Sequence, residues 1–228
     1  MLVMNVLTVY AHQDPQSFGA AMHSTTLSTL AANGHKTIIS DLYASGFRAV
    51  AAKWDFKTSG GPHKNYMMEQ KRVAEKDGGG SFAEDIRQEI TRVHVADLII
   101  FEFPLWWSAP PAVVKGWLDK VFALGIVWDR DHRYSEGKLK GKQALVVVGA
   151  GDPKESYTKD GMHRASVIQH LFPLLHSTLA QSGLDVLDPF VAYDLTDASV
   201  KDRQATLDGY GVHLSKQLTD PKFLYKNS

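Results

Sequence analysis

The order of apolar runs and helix-like stretches constrains this chain more than any single residue. Apolar runs at 3–10, 97–103 and 143–150 alternate with helical patterns at about 18–33, 82–94, 111–123 and 163–182. A shorter strand pattern lies at 36–41, and an apolar stretch near 184–193 precedes a helical pattern at 198–217. Strands that are apolar throughout are strands covered on both faces, and parallel neighbours need a crossover, usually a helix. The alternation therefore predicts an α/β chain of right-handed βαβ units: five parallel strands in an open sheet, with five helices divided between its faces.

The 228 residues suit one domain, 1–228, long enough to bury roughly 70% of the unfolded surface. Two long stretches, 44–81 and 124–142, carry neither pattern and are expected to be irregular insertions. The first holds Ser59-Gly60-Gly61-Pro62 and Gly78-Gly79-Gly80-Ser81. With 25 basic and 25 acidic residues, the chain lacks the footprint of a nucleic-acid or anionic-membrane binder. Neutral small molecules are the expected partners. No apolar run approaches the ~20 residues of a membrane span, and Met1-Leu2-Val3-Met4-Asn5 has no basic leader, so a cytoplasmic protein without an integral membrane segment is expected.

Zero cysteines exclude disulfides and thiolate chemistry, leaving any electron transfer to a bound cofactor. Ten histidines fall in no recognised ligand spacing, so no metal is expected. No GxSxG elbow, P-loop or complete dinucleotide fingerprint is present; Gly149-Ala150-Gly151 lacks the third glycine.

One segment stands out, Phe101-Glu102-Phe103-Pro104-Leu105-Trp106-Trp107-Ser108-Ala109-Pro110-Pro111. It reads as a buried strand that runs into an aromatic loop, with paired prolines in the first turn of the following helix. Ligands of open α/β sheets bind at the carboxyl ends of strands, where two tryptophans and exposed amides suit a flat, hydrogen-bonding ring such as a flavin. Within helix 111–123, Gly116 points to close packing. The first turn, from Tyr10-Ala11-His12 to Ser17-Phe18-Gly19, offers a helix N-terminus to phosphate, though alone it equally reads as a turn and a cap. After the fourth strand come Gly149-Ala150-Gly151-Asp152, then Tyr157 and His163.

Taken together, these segments and Ser40-Asp41-Leu42-Tyr43 resemble the NAD(P)H:quinone oxidoreductases, the DT-diaphorase group of flavodoxin-like enzymes, across roughly positions 3 to 217. The resemblance implies a flavodoxin-like sheet in the order 2-1-3-4-5. It implies FAD rather than FMN, NADPH or NADH as donor, a quinone as acceptor and a homodimer. Ping-pong hydride transfer through flavin N5 is the implied mechanism. His12, Ser17, Phe18 and Gly19 would meet the FAD phosphates and their surroundings, and Pro104, Leu105, Trp106, Trp107 and Ser108 the flavin ring. Gly149, Ala150, Gly151 and Asp152 would let the ring approach the backbone. Leu195, Arg203 and Leu207 correspond to contacts with the diphosphate and adenine, and Asn65 to a residue reaching FAD from the partner subunit. Tyr157 and His163 match the catalytic pair at the pyrimidine edge, where donors stabilise charge gathering on N1 and O2. With Trp107 and Trp128 they would form the substrate pocket.

Gly19 stands where the mammalian enzymes tend to carry Asn, and Trp128-Asp129-Arg130-Asp131-His132-Arg133-Tyr134 replaces their tyrosine-bearing loop with a more polar one. Substrate and nicotinamide preference are therefore not carried over. Two other readings use the same scaffold: an ancillary flavin-binding subunit of a membrane ion-efflux system, and a flavodoxin-type electron carrier.

Overall fold

The computed structural model describes residues 2–57 and 65–227. The Ser59-Gly60-Gly61-Pro62 motif lies outside the described residues. The chain opens with β1 (Asn5–Tyr10), α1 (Phe18–Ala32) and β2 (Lys36–Asp41), followed after the first insertion by α2 (Tyr66–Asp77) and α3 (Glu84–Val95). Next come β3 (Leu98–Pro104), α4 (Ala112–Val121) and β4 (Gln143–Gly149). Short turns α5 (Val167–His170) and α6 (Phe172–Leu174) lead to β5 (Asp185–Leu187) and β6 (Phe190–Ala192), and α7 (Val200–Thr219) and β7 (Phe223–Tyr225) complete the described elements.

The expected order β2-β1-β3-β4-β5 is present, and β7 extends it antiparallel to β5. Side-chain alternation divides the core. Val6, Ile100, Leu145 and Val147 face Met22 and Leu30 of α1 and Tyr210 and Leu214 of α7. Leu7, Val9, Ile99, Phe101, Val146 and Val148 face Ile86, Ile90 and Val93 of α3 and Val114, Trp117 and Val121 of α4. Trp117 is fully buried yet satisfied, its Nε1–H donating to Glu89 at 2.8 Å.

Three expectations need correcting. The stretch 184–193 is two short strands: β5 pairs with Gln143 and Ala144 of β4, whereas β6 pairs with Val147, Val148 and Gly149. Pro189 lies at the break, where a missing N–H cannot continue a ladder. The pattern at 163–182 becomes helical only at Val167 and is then broken, with a π-turn over Leu175–Leu179 and a 3₁₀ turn over Ala180–Ser182. Pro173 enters its first turn and cannot donate back along the helix. Finally, the stretch 44–81 contains α2, capped by Asn65, whose Oδ1 accepts from the Met67 and Met68 amides, and closed by Gly78 at φ 64°. Its buried face includes Glu69 and Gln70 beside Val73, so an apolar periodicity has little to register.

This insertion is fastened to α4 by polar contacts. The Lys120 Nζ lies 3.0 Å from Asp55 Oδ1, with side-chain exposures of 0% and 3%. Asp55 Oδ2 also accepts from the Tyr66 hydroxyl at 2.8 Å and the Ala52 amide at 2.9 Å. Gln70 donates to the Asp119 carbonyl and accepts from the Leu124 amide. Gly116 confirms the packing expectation, since a Cβ there would lie 2.2 Å from the Ala49 carbonyl oxygen.

Candidate active site

A cleft of about 310 Å³ opens at the carboxyl ends of β1, β3 and β4. Its walls bring together His12, Phe18, Gly19, Pro104, Leu105, Trp106, Gly149, Gly151 and Leu195 of the expected cofactor residues. The sequence builds its mouth locally. Ser17 caps α1, its Oγ accepting from the Ala20 amide at 3.1 Å. The N–H groups of Phe18 and Gly19 in that first turn have no intrahelical acceptor and are available to an anion. His12 Nδ1 accepts from the Asp14 amide at 3.1 Å, which places the proton of a neutral ring on Nε2 as a further donor.

The aromatic loop leaves β3 with the Leu105 amide bound to the Gly149 carbonyl at 2.8 Å. Trp106 and Ala109 then exchange backbone hydrogen bonds, both at 3.0 Å, around a two-residue turn made by Trp107 and Ser108. These two residues adopt φ of 50° and 58°, the pair of left-handed conformations normally left to Asn-Gly. Trp106 reaches the cleft; Trp107 projects at the tip with its side chain wholly exposed.

Tyr157 and His163 form a stacked pair beside the cleft, ring centroids 4.2 Å apart and planes 13° from parallel. The His163 Nε2 contacts Asp152 Oδ2 at 2.8 Å, so one expected cofactor residue orients the expected catalytic histidine. The segment between them is tightly wound: the His163 amide donates to the Ser156 carbonyl, and a Cβ at Gly161 would meet the Glu155 carbonyl oxygen at 2.4 Å. Burial, with the Asp152 charge second, raises the Tyr157 pKa, keeping its phenol protonated as a donor at neutral pH. Tyr193 packs against it at 5.8 Å.

Ala150 is buried behind this edge, its amide donating to the Ala192 carbonyl. The Arg203 guanidinium donates to the Ala198 and Leu195 carbonyls, bracing the loop that carries Leu195 into the cleft. Leu207 packs on the α1–α7 side of the core. Asn65 and Trp128 lie elsewhere. Asn65 caps α2, and Trp128 lines a second hollow with Tyr66, Gln70, Leu118 and Phe122. Its indole donates to the Phe122 carbonyl, and Arg133 lies 5.4 Å over its ring. Within one chain, then, Trp128 does not join Trp107, Tyr157 and His163.

The sequence reading assigned no role to Tyr10, Met22, Glu102, Val147 and Thr196, which also line the cleft. Glu102 had a signal: it is the one charged residue in the run from Leu98 to Pro104, and it is 3% exposed. Among the described residues there is no metal-binding cluster and no helix long and apolar enough to cross a membrane.

The family profile described as flavodoxin-like fold matches residues 4–218. The ribosyldihydronicotinamide dehydrogenase (quinone) of Mus musculus is 36% identical over 213 residues, covering 92% of this chain and 90% of the relative. NAD(P)H dehydrogenase (quinone) 1 of Rattus norvegicus is 30% identical over 212 residues, covering 92% and 76%. A crystal structure from Klebsiella pneumoniae, provisionally assigned as a quinone reductase, superimposes with a TM-score of 0.88 at 31% identity, covering 97% of this chain and 87% of that one. With the fold and these matches agreeing over nearly the whole chain, it belongs to the DT-diaphorase-like family of NAD(P)H:quinone oxidoreductases.

Proposed function

We propose that this chain is an FAD-dependent NAD(P)H:quinone oxidoreductase that works by a ping-pong mechanism as a cytoplasmic homodimer. The observation that carries this reading is the joining of two chemistries at one sheet edge: a donor-rich helix N-terminus and a ring-binding aromatic loop beside the Tyr157–His163–Asp152 group. The residues fit a flavin nucleotide. His12 and the first turn of α1 offer donors to phosphate, and Trp106 with Pro104 and Leu105 offers a wall to a flat ring. The His12 donor and the absence of a hydroxyl-rich phosphate loop favour FAD over FMN.

A bound flavin would supply two-electron exchange between a reduced nicotinamide and a quinone. The chain's own part is positioning. Tyr157 and His163 hold donors ready at the ring's polar edge, and Asp152 keeps the imidazole oriented. The exposed Trp107 and the hollow beside Trp128 are surfaces a second copy would bring together into the acceptor pocket.

Anaerobic titration of the FAD-loaded protein with NADPH and then NADH, followed by a benzoquinone, tests this. Bleaching of the flavin's visible band in one two-electron step and its recovery on adding quinone are expected. A bound flavin that neither nicotinamide bleaches would favour the carrier or ancillary-subunit reading.

A further inference from the structure

We propose that Glu102 is a specificity-determining residue of the cleft: its carboxylate accepts a hydrogen bond from a sugar hydroxyl of the nucleotide and repels the phosphates, so that the ligand seats in one direction. The proposal rests on the reading of the cleft as a nucleotide site.

Among the described residues, Glu102 is the only acidic one lining the cleft. It sits on β3 in register with Tyr10 of β1 and Val147 of β4, at the cleft's floor. Its Oε2 lies 2.5 Å from His23 Nδ1, and its Oε1 accepts from the Thr26 hydroxyl at 2.5 Å. The Tyr210 hydroxyl is 2.6 Å from the same Thr26 oxygen. With the single Thr26 proton directed at Glu102, Tyr210 is the donor to Thr26, and the whole chain of hydrogen bonds runs toward the carboxylate. His23 is held in place by stacking on Tyr10 at 4.4 Å.

An ionised carboxylate has about four acceptor positions, and these partners fill one on each oxygen. The capacity that remains on the carboxylate is acceptor only. Elsewhere in the cleft lining, His12 and the first turn of α1 offer donors. A phosphate, which only accepts, pairs with those donors and is repelled by Glu102. A sugar hydroxyl does the reverse, the pairing that a carboxylate makes with ribose in dinucleotide sites. Charge assistance makes such a bond stronger than a neutral amide would. The bland alternative is that Glu102 only staples α1 and α7 to the sheet.

Calorimetric titration of the flavin-free protein separates these. Glu102→Gln is expected to weaken FAD binding at least tenfold, to leave inorganic pyrophosphate unchanged or tighter, and to transfer its loss to either riboflavin or ADP. Which of the two loses affinity identifies the ribityl chain or the ribose as the partner. Tyr210→Phe, which breaks the link to α7 but keeps the carboxylate and its bonds to α1, is expected to hold FAD within twofold.

Wild-type protein gives an arm independent of any variant's folding: riboflavin against lumiflavin, and ADP against its 2′,3′-dideoxy analogue, with at least tenfold discrimination in one pair. Discrimination below twofold in both pairs overturns the proposal, as does unchanged FAD affinity in Glu102→Gln or a loss that pyrophosphate shares. If wild type binds neither FAD, riboflavin nor ADP, the nucleotide reading of the cleft fails first.

Discussion

Lys120→Met is expected to be among the most damaging single changes outside the cleft, although it replaces a charged side chain with an apolar one of similar length. The ammonium and the Asp55 carboxylate are 3.0 Å apart and shut away from water. At an effective dielectric of about 20, charges at that separation attract by about 5 kcal/mol. Removing one partner strands the other, at a typical cost of 3–5 kcal/mol. Asp55 would retain its bonds from Tyr66 and Ala52, which argues for the lower end, about 3 kcal/mol. For a chain of this size that corresponds to a fall in melting temperature of roughly 6–12 °C. Scanning calorimetry of Lys120→Met, Asp55→Asn and the double variant measures it. The double variant should recover at least half the loss, because neither charge is then alone. A single variant within about 1 kcal/mol of wild type would refute the reasoning that this pair is both dry and mutually dependent.

Gly116→Ala should destabilise by roughly 1–3 kcal/mol in urea titrations, since its Cβ would have to displace the Ala49 backbone. A neutral result would show that the contact relaxes freely. Tyr210 is buried, and burial followed by the Glu102 charge raises its pKa. Its folded value lies above the unfolded value near 10, so its contribution is intact below about pH 10 and lost as pH rises beyond it. Melting curves between about pH 9 and 11 should therefore fall less steeply for Tyr210→Phe than for wild type; equal slopes would remove the assignment. Replacing Tyr157 by Phe and His163 by Ala together should lower the rate of flavin reduction by at least a hundredfold, the scale of donor stabilisation, with FAD retained. Stopped-flow absorbance reads that rate, and an unchanged value would dismiss the pair.

Much of the architecture was legible because buried parallel strands and one-sided helices leave periodic signatures. The strands 36–41, 97–103 and 143–150 differ from the observed ones by a residue at most at either end. The donor turn at Ser17 was legible for a different reason, that capping residues have fixed local geometry, whereas the paired prolines stand one step earlier than expected, Pro111 as the N-cap of α4 rather than in its first turn. Helix α2 was not, because its buried face rests partly on Glu69 and Gln70, which read as surface residues until their partners are known. The break between β5 and β6 depends on which part of β4 each segment meets, a non-local choice. Glu102 was visible as a charge in an apolar strand, but its meaning needed His23 and Thr26, 79 and 76 residues away along the chain, and Tyr210, 184 residues from Thr26. The separation of Trp128 from Trp107 likewise has no local signature.

The last strand, β7, has a consequence for how the molecule behaves in a crowded solution. It pairs antiparallel through Val186 and Leu187, occupying the outer side of β5. Without it, that outer side would present free backbone donors and acceptors next to an apolar core, a template on which any extended segment could add. The edge that β7 itself offers is only three residues long and is flanked by Lys222 and Lys226, whose charges discourage stacking of one chain on another. The closing strand thus serves colloidal stability as well as folding, since Leu224 and Tyr225 pack on one half of the core and Phe223 on the other while the strand shields the edge of β5.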